Sequence, residues 1–224
     1  MSTHETPQSE EFARENQFRV EGSETPNEIT KFSPEAHRAI EEARLPIFTL
    51  TGKSIVDLRQ SGILVVPKWP DQEYLETLPS RKSEVTVERL YPKNTFNKPM
   101  SQQQRLIKEY SRELSTRIPD VEAIIAEAPD YVELNSLWIK RYGTPLFEYD
   151  TTLNPSIFPK FLSRLKLFKD HVVTRTATPL KSERGSFVAV VTYDQGAHRM
   201  NGWPKEQDLH ICGVTPLIIP KKLT

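Results

Sequence analysis

Three side chains near the C-terminal end of the sequence, His198, His210 and Cys212, are of types that catalyse hydrolysis or group transfer. A cysteine nucleophile needs a lowered pKa and a base within hydrogen-bonding distance, most often a histidine. On a β-strand, His210 and Cys212 would share one face, about 6.5–7 Å apart along the strand, so direct contact is not assured. The alternative is a buried structural cysteine with hydrogen-bonded or exposed histidines. We take these three residues as the candidate catalytic residues.

The same stretch contains two candidate ligand-binding residues, Arg199 and Trp203. Gly196, Gly202 and Trp203-Pro204 interrupt residues 194–207, which we interpret as a loop. A zinc site needs three or four ligands at suitable spacing, and one cysteine with scattered histidines does not supply them. The sequence therefore predicts no metal site and no cofactor.

Residues Thr51-Gly52-Lys53-Ser54 follow an apolar run and precede a short helical pattern, an order that resembles part of a phosphate-binding loop. A complete P-loop has a further glycine, with four residues between it and the Gly-Lys-Ser. Ile47 occupies that position. A turn in which Ser54 or Thr51 caps the following helix explains the pattern more simply, and a plain anion site at the helix start is the alternative. Lys53 and Ser54 are accordingly candidate ligand-binding residues.

Three aromatic side chains lie directly beside prolines: Trp69, Tyr91 and Trp203. Such residues are either anchors of a protein interface or lids packed over the core.

A basic helix is predicted at 156–169. It carries Lys160, Arg164, Lys166 and Lys169, a pattern typical of a solvated face or of a surface for an acidic partner.

The formal net charge of zero conceals an uneven distribution. Residues 1–33 contain seven Glu against three basic residues, and residues 150–224 contain 11 Lys and Arg against six acidic residues. The first segment also has few large apolar side chains, so we predict a disordered acidic tail at 1–33. Alternatively, a short helix at 9–18 docks Phe12 and Phe18 on a partner or on the domain. Attraction between the acidic tail and the basic end would give autoinhibition or loose docking.

The remaining residues, 34–224, are predicted to form a single α+β domain. A mixed or antiparallel sheet built from N- and C-terminal strands would pack against a central helical cluster at about 101–169. The predicted strands are 45–50, 63–66, 85–90, 171–178, 186–193, 208–212 and 214–219. The predicted helices are 34–44 behind the Ser33 cap, 101–118 behind a Ser101/Gln104 capping box, 120–128, 130–142 closed by Gly143, and 156–169.

The lack of recognisable targeting signals and the single cysteine indicate a soluble, cytoplasmic protein. Cys212 is the single cysteine, so the chain has no internal disulfide. The first thirty residues have no apolar core of a signal peptide, and no apolar run approaches the ~20 residues that span a bilayer. We expect no membrane association, and the oligomeric state stays open.

These observations favour a non-catalytic intracellular binding or adaptor domain with a possible protein partner. The balanced charge argues against a dedicated non-specific DNA-binding protein, which needs excess cations to displace counterions. One alternative is a small hydrolase or transferase with a site around His198, His210 and Cys212. Another is weak binding of single-stranded nucleic acid through the basic C-terminal region, with Trp203 or Tyr193 as a stacking platform.

Overall fold

The computed structural model describes residues 28–63, 65, 71–88, 95–96, 98–146, 173–192, 198–204 and 212–221. Over these residues the helices are α1 (Pro34–Glu42), α2 (Ile55–Gln60), α3 (Gln72–Thr77), α4 (Met100–Ser115) and α5 (Ala128–Tyr142). The strands are β1 (Ile47–Thr51), β2 (Lys82–Thr86), β3 (Val121–Ile125), β4 (Val173–Pro179), β5 (Ser186–Thr192), β6 (His198–Pro204), β7 (Cys212–Gly213) and β8 (Pro216–Pro220).

The first sheet has the order β1-β2-β8-β3, and all its neighbours are antiparallel. β1 pairs with β2 from Ile47↔Thr86 to Thr51↔Lys82, and β2 meets β8 at Thr86↔Ile218. Strands from both ends of the sequence therefore share one sheet, and the predicted α+β class is confirmed.

The second sheet has the order β6-β5-β4-β7 and is built entirely from C-terminal strands. β4, β5 and β6 are antiparallel neighbours, whereas β7 lies parallel to β4. The predicted hairpin of 171–178 and 186–193 is confirmed as β4 and β5. The single predicted sheet is wrong, because most C-terminal strands pair with each other and only β8 joins the N-terminal strands.

The predicted helix at 120–128 is wrong, since residues Val121–Ile125 form β3. Pairing with β8 from Val121↔Pro220 to Ile125↔Pro216 makes it a strand. The β-branched residues Val121, Ile124 and Ile125 favour that conformation. Asp120, at φ 54°, changes the chain direction just before the strand. A distant strand therefore overrides the weak helical periodicity of this segment.

The predicted loop at 194–207 is wrong for its described part, because His198–Pro204 is strand β6, paired with β5 along its length. Gly202, which we interpreted as a loop residue, lies inside this strand. A Cβ at Gly202 would collide with the Leu180 side chain, so a glycine here permits close packing. Of the predicted strand 63–66, Val65 makes an isolated parallel bridge to His198.

The first sheet is buried on both faces. On β8, Leu217 belongs to one hydrophobic core and the next residue, Ile218, to the other, as the alternation of strand side chains requires. One core joins β1 to α5 and to the second sheet through Leu50, Leu134 and Val190. The other joins the sheet to α1 and α4.

The observed helix ends confirm two of the predicted capping residues, Ser33 and Gly143, and contradict the predicted capping box at Ser101 and Gln104. Ser33 caps α1 by accepting a hydrogen bond from the Ala36 N–H, and Gly143 ends α5 at φ 78°, where glycine lacks the steric penalty of other residues. The Ser101/Gln104 capping box is wrong, because α4 already begins at Met100 with Pro99 before it. The predicted helix 156–169 lies outside the described residues.

Part of the predicted tail contacts the domain. Thr30 donates its N–H to the Lys82 carbonyl at 3.1 Å and accepts the Glu84 N–H at 2.8 Å, so it pairs with β2. Phe32 is buried, and its N–H donates to Glu84 at 2.9 Å. The remainder of the predicted tail, residues 1–27, lies outside the described residues.

Candidate functional site

The candidate catalytic residues that the structure describes do not come together. His198 opens β6 and Cys212 opens β7, and these strands are the two edges of the second sheet. Three strand spacings separate them, which is about 14 Å. His210 lies outside the described residues. A histidine at that distance is not the base of the Cys212 thiol.

His198 is fully buried, next to Asn135 on α5. The Asn135 Nδ2 lies 3.4 Å from His198 Nε2, while Asn135 Oδ1 accepts the Leu146 N–H at 2.6 Å. This arrangement makes Nε2 the acceptor and puts the imidazole proton on Nδ1, which has no hydrogen-bond partner among the described residues. Burial lowers the pKa of His198 to about 4, so the ring is neutral at pH 7.

Cys212 is also buried, and its environment suppresses thiolate formation. Burial raises the pKa of the thiol to about 11, although the nearby Arg175 guanidinium acts in the opposite direction. Arg175 is itself fully buried, and its Nη1 donates to Gln103 Oε1 at 3.1 Å. A nucleophilic cysteine requires a depressed pKa and access to a substrate. The surroundings of Cys212 are instead those of a structural residue that packs against α4.

The two ligand-binding candidates in the second sheet are placed by their backbone only. Arg199 pairs with Val191, and Trp203 pairs with Phe187 in the β5–β6 ladder. Their side chains lie outside what the structure describes, so their proposed role stays a prediction. Within the described residues, no group of three or more His, Cys, Asp or Glu side chains could hold a metal ion.

Lys53 and Ser54 form a helix-capping turn. Ser54 accepts the Asp57 N–H at 3.2 Å, and its own N–H donates to Asp57 Oδ2 at 2.9 Å, a complete capping box for α2. Next to it, the Thr51 N–H and hydroxyl donate to the buried Glu133 carboxylate at 3.1 and 2.6 Å. Carboxylates thus occupy the donors that a phosphate would need. The capping interpretation of this motif is the one that the geometry supports.

An aromatic cluster lies where α5 ends beside the free edge of β1. The Trp138 ring is 4.6 Å from the Tyr142 ring and 5.7 Å from the Phe48 ring, measured between centroids. The Arg141 guanidinium lies 5.5 Å from the Phe48 centroid and 5.4 Å from the Tyr142 centroid. We refer to Phe48, Trp138, Arg141 and Tyr142 as the aromatic–basic patch.

The patch reaches solvent through Arg141 and Tyr142, whereas Phe48 is buried beneath them. Tyr142 is 46% exposed, more than any other large hydrophobic side chain among the described residues, and Trp138 is only partly buried. The adjacent Lys140 and Arg141 are exposed, and neither has an ion-pair partner within the described part of the chain. Sequence inspection missed this patch, although Trp138, Arg141 and Tyr142 have the i, i+3, i+4 spacing that brings side chains together on a helix.

α5 positions the patch through polar contacts at both of its ends. Near its start, Glu133 holds the end of β1 through Thr51, and the Ser80 hydroxyl donates to the same carboxylate. Near its end, Arg141 Nη1 lies 3.4 Å from the Ile47 carbonyl at the start of β1. These contacts pair backbone groups at both ends of the edge strand β1 with side chains of α5 and fix the helix beside it.

Comparisons with protein-family models, curated sequences and solved structures give no match for this chain. No helix within the described residues has the length and apolar character to cross a bilayer.

Proposed function

We propose that this chain is a non-catalytic protein-binding domain whose aromatic–basic patch receives a peptide segment of its partner. The patch geometry is the observation that carries the proposal: an exposed tyrosine and a half-buried tryptophan are in contact, and an arginine lies against the tyrosine ring. Trp, Tyr and Arg are the residues most enriched at the energetic centres of protein interfaces. The buried state of His198 and Cys212, and their separation, weaken the hydrolase or transferase alternative.

The partner segment should be acidic and should carry an aromatic side chain. Lys140 and Arg141 supply positive charge that no described carboxylate neutralises. The ring faces of Trp138 and Tyr142 suit stacking or edge contacts with another aromatic ring. Both features together favour acidic, aromatic peptides over basic or purely aliphatic ones.

Selection from a phage-displayed random peptide library tests this proposal. We expect the wild-type chain to enrich acidic peptides with an aromatic residue. Synthetic copies of those peptides should bind at least about tenfold more weakly to Arg141→Glu and to Tyr142→Ala, as expected for central interface residues. Arg112→Glu makes the same charge change on the exposed end of α4 and serves as the matched control.

The absence of enriched peptides, or equal binding to all variants, would contradict the proposal. Stacking residues beside cations also suit single-stranded nucleic acid. If labelled oligothymidine binds the wild-type chain, weakens as salt rises and is lost in Arg141→Glu, the patch is a nucleic-acid site and the proposal is wrong. Near-UV circular dichroism confirms that each variant keeps its fold.

A further inference from the structure

We infer that the acidic N-terminal segment of the chain, residues 5–24, docks on the aromatic–basic patch and competes there with the partner peptide. This inference depends on the proposed function, because it assigns an occupant to the same patch. Residues 5–24 contain six Glu and two Arg, and they include Phe12 and Phe18. The segment thus has the acidic and aromatic composition that the patch favours.

The point at which the segment joins the fold makes this docking possible. Thr30 pairs with Ser83 on β2, and β2 pairs with β1, so Thr30 lies about 10 Å from β1 across the sheet. Ser83 is opposite Leu50, two residues along β1 from Phe48 of the patch. Thr30 follows Phe18 by twelve positions in the sequence, and twelve extended residues span up to about 40 Å. The connection is long enough to place Phe18 or Phe12 on the patch.

Charge distinguishes this segment from the one that follows the patch directly. Residues 147–172 contain four basic and three acidic residues, so they offer no net negative charge to Lys140 and Arg141. Residues 5–24 carry a formal charge of −4. An intramolecular ligand also has an effective concentration in the millimolar range, so even weak contacts would occupy the patch.

Paramagnetic relaxation in the full-length chain tests the inference directly. A nitroxide is attached at Ala13→Cys, between Phe12 and Arg14. The native Cys212 is buried and its thiol pKa is raised to about 11, so it should stay unlabelled under native conditions. We expect the amide signals of Tyr142 and Gly143 to broaden strongly, while that of Arg112 on α4 does not. The broadening should decrease as salt rises and in Arg141→Glu.

Competition provides the second measurement. Replacing Phe12 and Phe18 by alanine in the unlabelled full-length chain should strengthen binding of the phage-selected peptides by about tenfold. Ile29→Ala, at an exposed apolar residue outside residues 5–24, serves as the control and should leave peptide binding unchanged.

The outcomes separate the two proposals. If selected peptides bind the patch but the label does not broaden Tyr142 and Gly143, the docking inference is wrong and the proposed function stands. If the label broadens these signals but no peptide binds even after Phe12 and Phe18 are replaced, docking is correct and the proposed function is wrong. Broadening that persists unchanged in Arg141→Glu would contradict docking on this patch.

Discussion

Burial determines the chemistry of His198 and Cys212. The same residue types in an accessible cleft could form a nucleophile and its base, but here both side chains are removed from solvent. Burial favours the neutral form of each group, which lowers the pKa of the histidine and raises that of the thiol. At neutral pH both side chains are therefore uncharged, and neither has a pKa suited to proton transfer.

His198 should make the stability of the protein sensitive to acid. Its pKa is about 4 in the folded protein against an ordinary value near 6.5, so below pH 6.5 the unfolded chain binds a proton that the folded chain does not. The free energy of unfolding therefore falls as the pH drops from 6.5 towards 4, by about 3 kcal/mol in total. Urea unfolding between pH 7 and 4 should show this loss in the wild type relative to His198→Gln. Parallel pH profiles for the two proteins would contradict the assignment.

Helix α5 is the element that connects the sheet edge to the patch. Its first turns carry two buried carboxylates: Asp130 pairs with Arg81 at 2.9 Å, and Glu133 accepts from Thr51 and Ser80. Its last turn carries Arg141 and Tyr142. Because both ends are attached to β1 or to the residues before β2, the position of the patch follows from the position of the helix.

Glu133→Gln should destabilise the protein by about 2 kcal/mol, because an amide NH₂ would face donors that now share a carboxylate. The double variant Glu133→Gln/Ser80→Ala should lose less stability than the sum of the losses in the two single variants, because both changes act on the same contact. Glu122→Gln on β3, which has no described partner, is the matched control and should change stability by less than about 0.5 kcal/mol. Urea unfolding measures all four variants, and equal effects of the Glu133 and Glu122 changes would contradict this role.

At the scale of the whole molecule, a few buried polar contacts join the second sheet to the rest. The Ala177 N–H donates to the Ala126 carbonyl at 2.8 Å, and the Thr215 N–H donates to Thr174 Oγ1 at 3.1 Å. Gln103 on α4 adds a third connection: it accepts from Arg175 and donates to the carbonyls of Thr95 and Cys212. Because of these contacts and the shared core, we expect the two sheets to unfold together in one cooperative transition.

Gln103→Leu should cost about 2 kcal/mol or more, since it removes an acceptor from a buried guanidinium and a donor from two buried carbonyls. The same substitution one residue later, Gln104→Leu, falls at a partly exposed position and serves as the control. Urea unfolding followed by near-UV and far-UV circular dichroism should give coincident transitions in the wild type. Equal stability of the two variants would show that the Gln103 network does not join the sheet to α4.

Local signals predicted much of the secondary structure. The Ser33 cap, the Gly143 helix end and the β4–β5 hairpin depend on residues close together in the sequence, so short-range chemistry was enough. Val121–Ile125 was misassigned because its partner β8 lies almost a hundred residues further on. The strand at 198–204 was missed because Gly202, which suggested a loop, accommodates the side chain of Leu180.

The amino-acid sequence by itself determined the α+β class, the start of α1, the end of α5 and the uneven distribution of charge. Only the tertiary structure decided which residues meet. It placed His198 and Cys212 on opposite edges of a sheet, buried both, and brought Phe48 of β1 against Trp138 and Arg141 of α5. The physical reason is that capping, turns and charge counts are local or additive, whereas burial, pKa and side-chain contact depend on long-range strand pairing and packing.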